Sequence, residues 1–293
     1  MAFAATTRPT AAVRWIILGA YALFCVVPLV WLLLAPTKTD AQLLGRNPLA
    51  FGSLAHIGLA WQHLVAFNGG IIWRWILNSV VYSASAVAIS TAAGVTAGYA
   101  LAVTRFPGRR AVLVVTLVAI VLPPTAVILP LFLEINAVRA TNTALSVILP
   151  ASFFPFGVYL AFVYFATSLP RELMEAARVD GCSETSVFLR IALPLAKPVV
   201  ALIAFFSFVA NWNNYFLPYV MLSDDHTYNL PVGLGAFIGG TPALHPEFGG
   251  SFLPITRPEV ALAGLVVVAP IVVLFMFCQR FLVRGVLAGS VKS

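Results

Sequence analysis

Residues 168–198 read SLPRELMEAARVDGCSETSVFLRIALPLAKP, a polar stretch between two apolar runs, 140–170 and 198–223. Pro170 suits the first turn of a helix, where its missing N–H leaves no bond unmade. Glu172 and Glu175 favour the early, positive end of that helix. Arg171, Glu175 and Arg178 share one face, with Leu173, Ala176, Ala177 and Asp180 nearby on another. Gly181 fits a helix C-terminal position with positive φ. Ser183 can cap a second short helix running to Arg190, which Pro194 ends. The expectation is a helix–turn–helix elbow joining two apolar segments.

Outward from the elbow the chain is nearly free of charge. Its 293 residues are 61% hydrophobic and 9% charged, against about 25% charged in an ordinary soluble domain. Such a composition buries its apolar surface only in lipid, and about 20 apolar residues cross a bilayer as a helix. Eight uncharged runs occur, at 15–37, 47–73, 75–104, 111–133, 140–170, 198–223, 226–246 and 260–279. Runs 47–73 and 226–246 are broken throughout by Gly, Pro, His and Asn, so they read as loops or surface-lying helices. The other six read as spans.

The expected fold is therefore all-α, one polytopic membrane domain over 1–293. Spans are placed near 15–35, 76–103, 111–133, 144–167, 199–222 and 260–281. The elbow 168–198 separates spans four and five, and the outer loops are 36–75 and 223–259. With six spans, 12 of the 17 Lys and Arg fall on the side that holds 1–14, 105–110, 171–197 and 280–293. By the positive-inside rule that side, with both termini, is cytoplasmic, and the chain is a multi-pass protein of the cytoplasmic membrane. Topology thus accounts for the net charge of +7, and no nucleic-acid partner is expected. The N-terminal run is long enough to span, and five spans follow it, so it reads as an uncleaved first helix.

Cys25, Cys182 and Cys278 lie in or beside spans or on the cytoplasmic side, which argues against a disulfide framework. His56, His63, His226 and His245 match no metal-ligand spacing, and no metal site is expected. Pro123, Pro124 and Pro130 interrupt the third run, and Pro150 and Pro155 the fourth. Each is either a break beside a pathway or a packing kink.

Glu175-Ala176-Ala177, three residues, Gly181, nine residues, then Ile191-x-Leu193-Pro194 resembles the E-A-A loop of ATP-binding-cassette importer permeases. Every anchor is filled at the expected spacing. GYALAVTRFPGRR (98–110), NWNNYFLP (211–218) and RGVLAGSVKS (284–293) are similar to the maltose-type branch of carbohydrate importers. The resemblance covers about residue 75 to the end. It implies that Glu175, Ala176, Ala177, Gly181, Ile191, Leu193 and Pro194 form a docking element for an ATPase subunit. Glu175 would face a basic residue of that subunit, and the C-terminal tail would also touch the ATPase dimer. It further implies a second permease subunit, two ATPase subunits and an extracytoplasmic solute-binding protein. The outer loop 224–259 resembles the segment that reaches toward the binding protein; a plain cover over the bundle is the other reading.

A nucleotide-binding P-loop needs G-x-x-x-x-G-K-[ST]. Lys38, Lys197 and Lys292 are the only lysines, and none follows a glycine. The chain is therefore read as no enzyme, with ATP and Mg held by partner subunits and no cofactor of its own. Its charge-free spans disfavour an ion-coupled carrier. They fit an uncharged solute or an externally supplied drive, and the resemblance to carbohydrate importers implies a sugar or oligosaccharide moved by alternating access. A permease for a glycerophosphodiester stays open as an alternative. Asn211, Asn214 and Tyr215, with Asn78 and Ser79 at the start of the second span, are candidate lining for the path. Helix–helix hydrogen bonding is their other reading.

Overall fold

The computed structural model describes residues 8–45, 47–239 and 255–290, with side chains at 12–45, 47–170, 172–239 and 255–279. The centre of the second outer loop (His245 and Glu247 included), the last three residues and the Arg171 side chain lie outside that range. No strand occurs among the described residues. Among the described residues, four helical stretches are long and apolar enough to cross a membrane, or up to six if each of two bent pairs counts as one span. The chain divides into two compact units, one of 1–71 with 236–268 and one of 72–235 with 269–293.

In the first unit, α1 (Arg8–Leu34) is apolar all round and exposed along most of its length, as a lipid-facing helix should be. A 3₁₀ turn, Ala35–Thr37, ends it, and α2 (Asp40–Gly45) follows. Lys38 is only 3% exposed. Its ammonium donates to the carbonyls of Asn47 and Pro48 at 3.2 and 2.6 Å, the partnering that a buried cation requires. The chain then presses on itself, since a Cβ at Gly52 would stand 2.0 Å from the Thr37 carbonyl oxygen. Ser53 caps α3 (Leu54–Ala66). Asn68 and Gly69, with φ of 42° and 65°, stop the helical path before α4. At the other end of this unit, Glu259 in the first turn of α15 (Arg257–Ser290) accepts from the Thr256 N–H at 2.8 Å and from its hydroxyl at 2.6 Å. His63 approaches the other Glu259 oxygen at 2.9 Å, and Arg257 pairs with Asp40.

The second unit is built on α4 (Ile71–Val103), 33 residues long. Its helix starts at Ile71, ahead of the apolar span expected from 76, and includes Arg74, which donates to the His226 carbonyl at 3.4 Å. The third run is two helices, α5 (Arg109–Val121) and α6 (Pro124–Ala137), bent by 106° at the Pro123–Pro124 pair. The fourth is α7 (Ala144–Ala151) and α8 (Pro155–Thr167). α4 and α8 meet through small residues. Gly94 and Gly98 face Gly157 and Ala161, and a Cβ on Gly98 would lie 2.4 Å from that of Ala161. This is the small-xxx-small contact that lets membrane helices approach closely. α12 (Lys197–Trp212) joins them through a buried Ser90–Ser207 hydrogen bond of 2.7 Å. α13 (Phe216–Met221) and α14 (Leu230–Gly239) complete the described helices around the outer loop.

Candidate functional site

The elbow follows from local chemistry. Pro170, in the β region, precedes α9 (Arg171–Val179). After Asp180, the Gly181 N–H donates to Arg178 O at 3.0 Å and the Cys182 N–H to Ala177 O at 2.9 Å. With Gly181 at φ +81°, this is a Schellman ending, which closes the helix and reverses the chain. Ser183 then caps α10 (Glu184–Val187), its hydroxyl accepting from the Ser186 N–H at 3.3 Å. The expected stop at Pro194 does not occur. The chain widens into a π turn at Phe188–Ala192 and runs on through α11 (Leu193–Leu195). Pro194 has no N–H to give to the carbonyl of Arg190, and the wider turn comes just before it. α12 leaves the elbow at a 77° bend.

One face of the elbow is locked to the bundle. Met174, Ala177, Val187, Ala192 and Ala196 are buried in a core that includes Val95 and Tyr99 of α4, Phe165 of α8 and Ile203 of α12. Tyr99 packs edge-on against Phe165 and tilted against Phe188, with ring centroids 5.3 and 4.8 Å away. The Tyr164 hydroxyl donates to the Leu195 carbonyl at 2.7 Å. Of the predicted anchors, Ala177 and Ala192's neighbours Ile191 and Leu193 lean inward, whereas Glu175, Ala176, Gly181 and Pro194 are exposed. Beside them stand Leu173, Leu189 and Val179, the last 87% exposed. These apolar side chains stand on the same elbow as the exposed Glu175 and Ala176. Arg178 spans the turn to Glu184 with two bonds, 2.6 and 3.1 Å. That contact lowers the Glu184 carboxyl and raises Arg178 from their usual ranges.

Residues 90–288 of the chain match the family of binding-protein-dependent transport system inner membrane components. The chain belongs to that family. This permease is therefore a multi-pass membrane subunit of an ABC importer, working with a binding protein and an ATPase. It is 34% identical over 273 residues to an arabinooligosaccharides transport system permease protein of Halalkalibacterium halodurans, covering 93% of each chain. It is 28% identical over 292 residues to a diacetylchitobiose uptake system permease protein of Streptomyces coelicolor, covering 99% of this chain and 92% of that one. A chain from a bacterial ABC transporter involved in the import of the acidic polysaccharide alginate superposes with a TM-score of 0.81. Its sequence identity is 22%, with 96% of this permease and 99% of that chain covered, so it bears on fold alone.

The candidate path residues of this permease have definite occupations. The helix breaks after Trp212, between Asn211 on α12 and the Asn214–Tyr215 pair that precedes α13. Asn211 donates to Ser207 O and Oγ at 2.9 and 3.2 Å, extending the Ser90–Ser207 link. The Asn214 side chain accepts from the Leu217 N–H, and its carbonyl accepts from Asn229 at 2.7 Å. Asn78 donates to the His226 and Tyr228 carbonyls at 2.8 and 2.9 Å, and Ser79 accepts from the Leu230 N–H. Tyr215 remains half exposed and stacks on Tyr219, centroids 5.4 Å apart and planes 13° apart.

Sequence reasoning missed the collar to which Asn78 belongs. Trp75 and Tyr82 join it by donating to the Asp225 and Thr227 carbonyls, both at 2.8 Å. Asn142, at φ +58°, accepts on one oxygen from the Ser223 and Asp224 N–H groups and the Thr227 hydroxyl. The period-4 spacing of Trp75, Ser79 and Ser83, with Asn78 and Tyr82 alongside, was a readable sign of a polar face on α4. From the collar at Trp75 to the elbow contact at Tyr99 is roughly 36 Å of helix. α4 thus ties the outer-loop collar at one end to the elbow at the other.

Proposed function

We propose that this permease moves a sugar or oligosaccharide by alternating access, driven through the 168–198 elbow by separate ATPase subunits that hold ATP and Mg. A second permease subunit pairs with it, two ATPases dock beneath, and an extracytoplasmic binding protein delivers the solute. Both termini and the elbow face the cytoplasm, and the chain holds no nucleotide site of its own. The observation that carries this reading is the two-sidedness of the elbow. Its inner face is packed on α4, α8 and α12, and its outer face offers Glu175 beside bare Leu173, Val179 and Leu189. A push on that outer face reaches all three spans through one core. The sugar class is supported by the relatives' substrates, which are oligosaccharides and disaccharides in name.

Two measurements test it. In the assembled transporter, Glu175→Ala with Gly181→Val should release the ATPase subunits or leave ATP hydrolysis uncoupled from uptake; wild-type transport in that variant would overturn the docking role. Cys182 is exposed on the elbow. A membrane-impermeant maleimide should label it in inside-out vesicles and spare it in intact cells, and the opposite pattern would reverse the topology.

A further inference from the structure

We propose that Arg105, Arg109 and Arg110 hold the phosphodiester headgroup of an anionic phospholipid. α4 ends at Val103, and a Phe106-Pro107-Gly108 turn leads into α5. Gly108 takes φ +85° and gives the first turn of α5 no side-chain cap. Arg109 reaches back to the Ala102 carbonyl at 3.4 Å, which fixes its guanidinium at the turn. Around it opens a cavity of about 350 Å³ lined by Arg105, Phe106, Gly108, Arg109 and Arg110. Three cations line it and no carboxylate does. Among the described residues, none of the three forms an ion pair. A second cavity of about 280 Å³ shares Arg105 and Arg109 and is also lined by Glu175 and Arg178. An anion is therefore drawn to the carboxylate-free cavity, away from Glu175.

The choice of a lipid over a free phosphate comes from what adjoins the arginines. Beyond Arg110, α5 is exposed at Val114, Val115 and Val118 (58%, 65% and 54%), a ready track for an acyl chain. A ligand with an anionic head and an apolar tail matches both features, whereas inorganic phosphate matches one. Basic clusters at the ends of membrane helices attract anionic headgroups with roughly tenfold or less gain per charge. The site rests on α5 facing lipid and is independent of the solute transported.

Native mass spectrometry of the purified whole transporter tests it, with added phosphatidylglycerol or phosphatidylcholine. The double variant Arg105→Gln/Arg110→Gln leaves the Arg109–Ala102 bond in place. It should bind phosphatidylglycerol roughly tenfold or more weakly than wild type. Arg105→Lys/Arg110→Lys should keep most of the binding, as should Arg14→Gln/Arg139→Gln, which removes the same charge elsewhere. Millimolar inorganic phosphate should not displace the lipid; displacement would make the site one for free phosphate. Equal binding of phosphatidylcholine would overturn the proposal. So would a glutamine variant that retains phosphatidylglycerol yet loses its ATPase subunits, which would assign the arginines to a protein partner.

Discussion

Arg178 and Glu184 close the elbow across its turn, the guanidinium meeting both carboxylate oxygens at 2.6 and 3.1 Å. The pair brackets Gly181 and Ser183, the two residues that reverse the chain. Both side chains are solvent-exposed, so its worth is that of a surface pair, about 0.2–1 kcal/mol. Its effect is on the angle between α9 and α10. Glu184→Gln should loosen the turn and weaken ATPase docking by about fivefold or less. Hydrogen bonding to Arg178 lowers the Glu184 carboxyl below its ordinary value of 4.5. A lowered carboxyl stabilises above its unfolded value and loses that contribution as pH falls through the folded one. A fluorophore on Cys182, with Cys25 and Cys278 replaced by serine, should therefore keep a constant anisotropy from neutral pH down to about 4.5. It should then gain mobility below that point in wild type. In the glutamine variant the mobility should be high and flat with pH.

Gly98 sets the distance between α4 and α8. Gly98→Leu would drive a Cβ to 2.4 Å from that of Ala161 and 2.7 Å from the Phe162 nitrogen. Backbone cannot yield as a side chain tip can, so the helices must part, at a cost of about 1–3 kcal/mol. Gly19, with nothing within 4 Å of its added Cβ, is the matched control. The thermal midpoint in detergent should fall by several degrees for Gly98→Leu and stay within error for Gly19→Leu. Equal midpoints would show that the close approach is not needed.

The elbow and the pattern of apolar spans were legible in the sequence because their signals are local. Gly181 and Ser183 carry their own instructions for ending and starting a helix, and long uncharged runs announce apolar helices without reference to contacts. The collar was not legible, because its bonds join residues 81–152 positions apart and nothing in Asn78 alone says which carbonyls it will meet. Pro123 and Pro124 announced a break, but its 106° angle depends on what α5 and α6 pack against. Pro194 misled, since a π turn ahead of it lets the helix pass. Val179 and Leu189 carry no mark in the sequence of the exposure they have on the elbow.

Asn142 is the keystone of the collar. One oxygen accepts three hydrogen bonds from 223–227, and its own N–H donates to the Met221 carbonyl at 2.8 Å. Asn tolerates the left-handed conformation this requires. Asn142→Ala removes the acceptor and adds backbone strain, for a loss of about 2–4 kcal/mol. Asn142→Asp keeps the acceptor and should stay near wild type, while Asn142→Gly relieves strain without restoring the bonds and should fall between. Proteolysis of the 221–230 segment in reconstituted vesicles should rank the variants in that order. An Asn142→Gly variant as resistant as wild type would mean the three accepted bonds contribute nothing.

Of the candidate path residues, Tyr215 is the one left open for contact with a transported solute. Its ring and that of its stacking partner Tyr219 are 42% and 57% exposed, whereas the Asn78, Asn211 and Asn214 side chains bond to groups within the bundle. Gly235 seats Tyr215, since a Cβ there would lie 2.8 Å from its Cε2; the ring is thus held by its edge with a face free. An aromatic face is worth about 0.5–1.5 kcal/mol in such contacts. Tyr215→Leu should therefore slow uptake roughly two- to tenfold while leaving assembly and basal ATP hydrolysis intact. Asn211→Ala should behave in the opposite sense. It strips the amide that braces Ser207, so the thermal midpoint should fall and uptake per folded transporter should hold. If uptake per folded transporter drops for Asn211→Ala and not for Tyr215→Leu, the path is lined by amides and the tyrosine pair belongs to another interface.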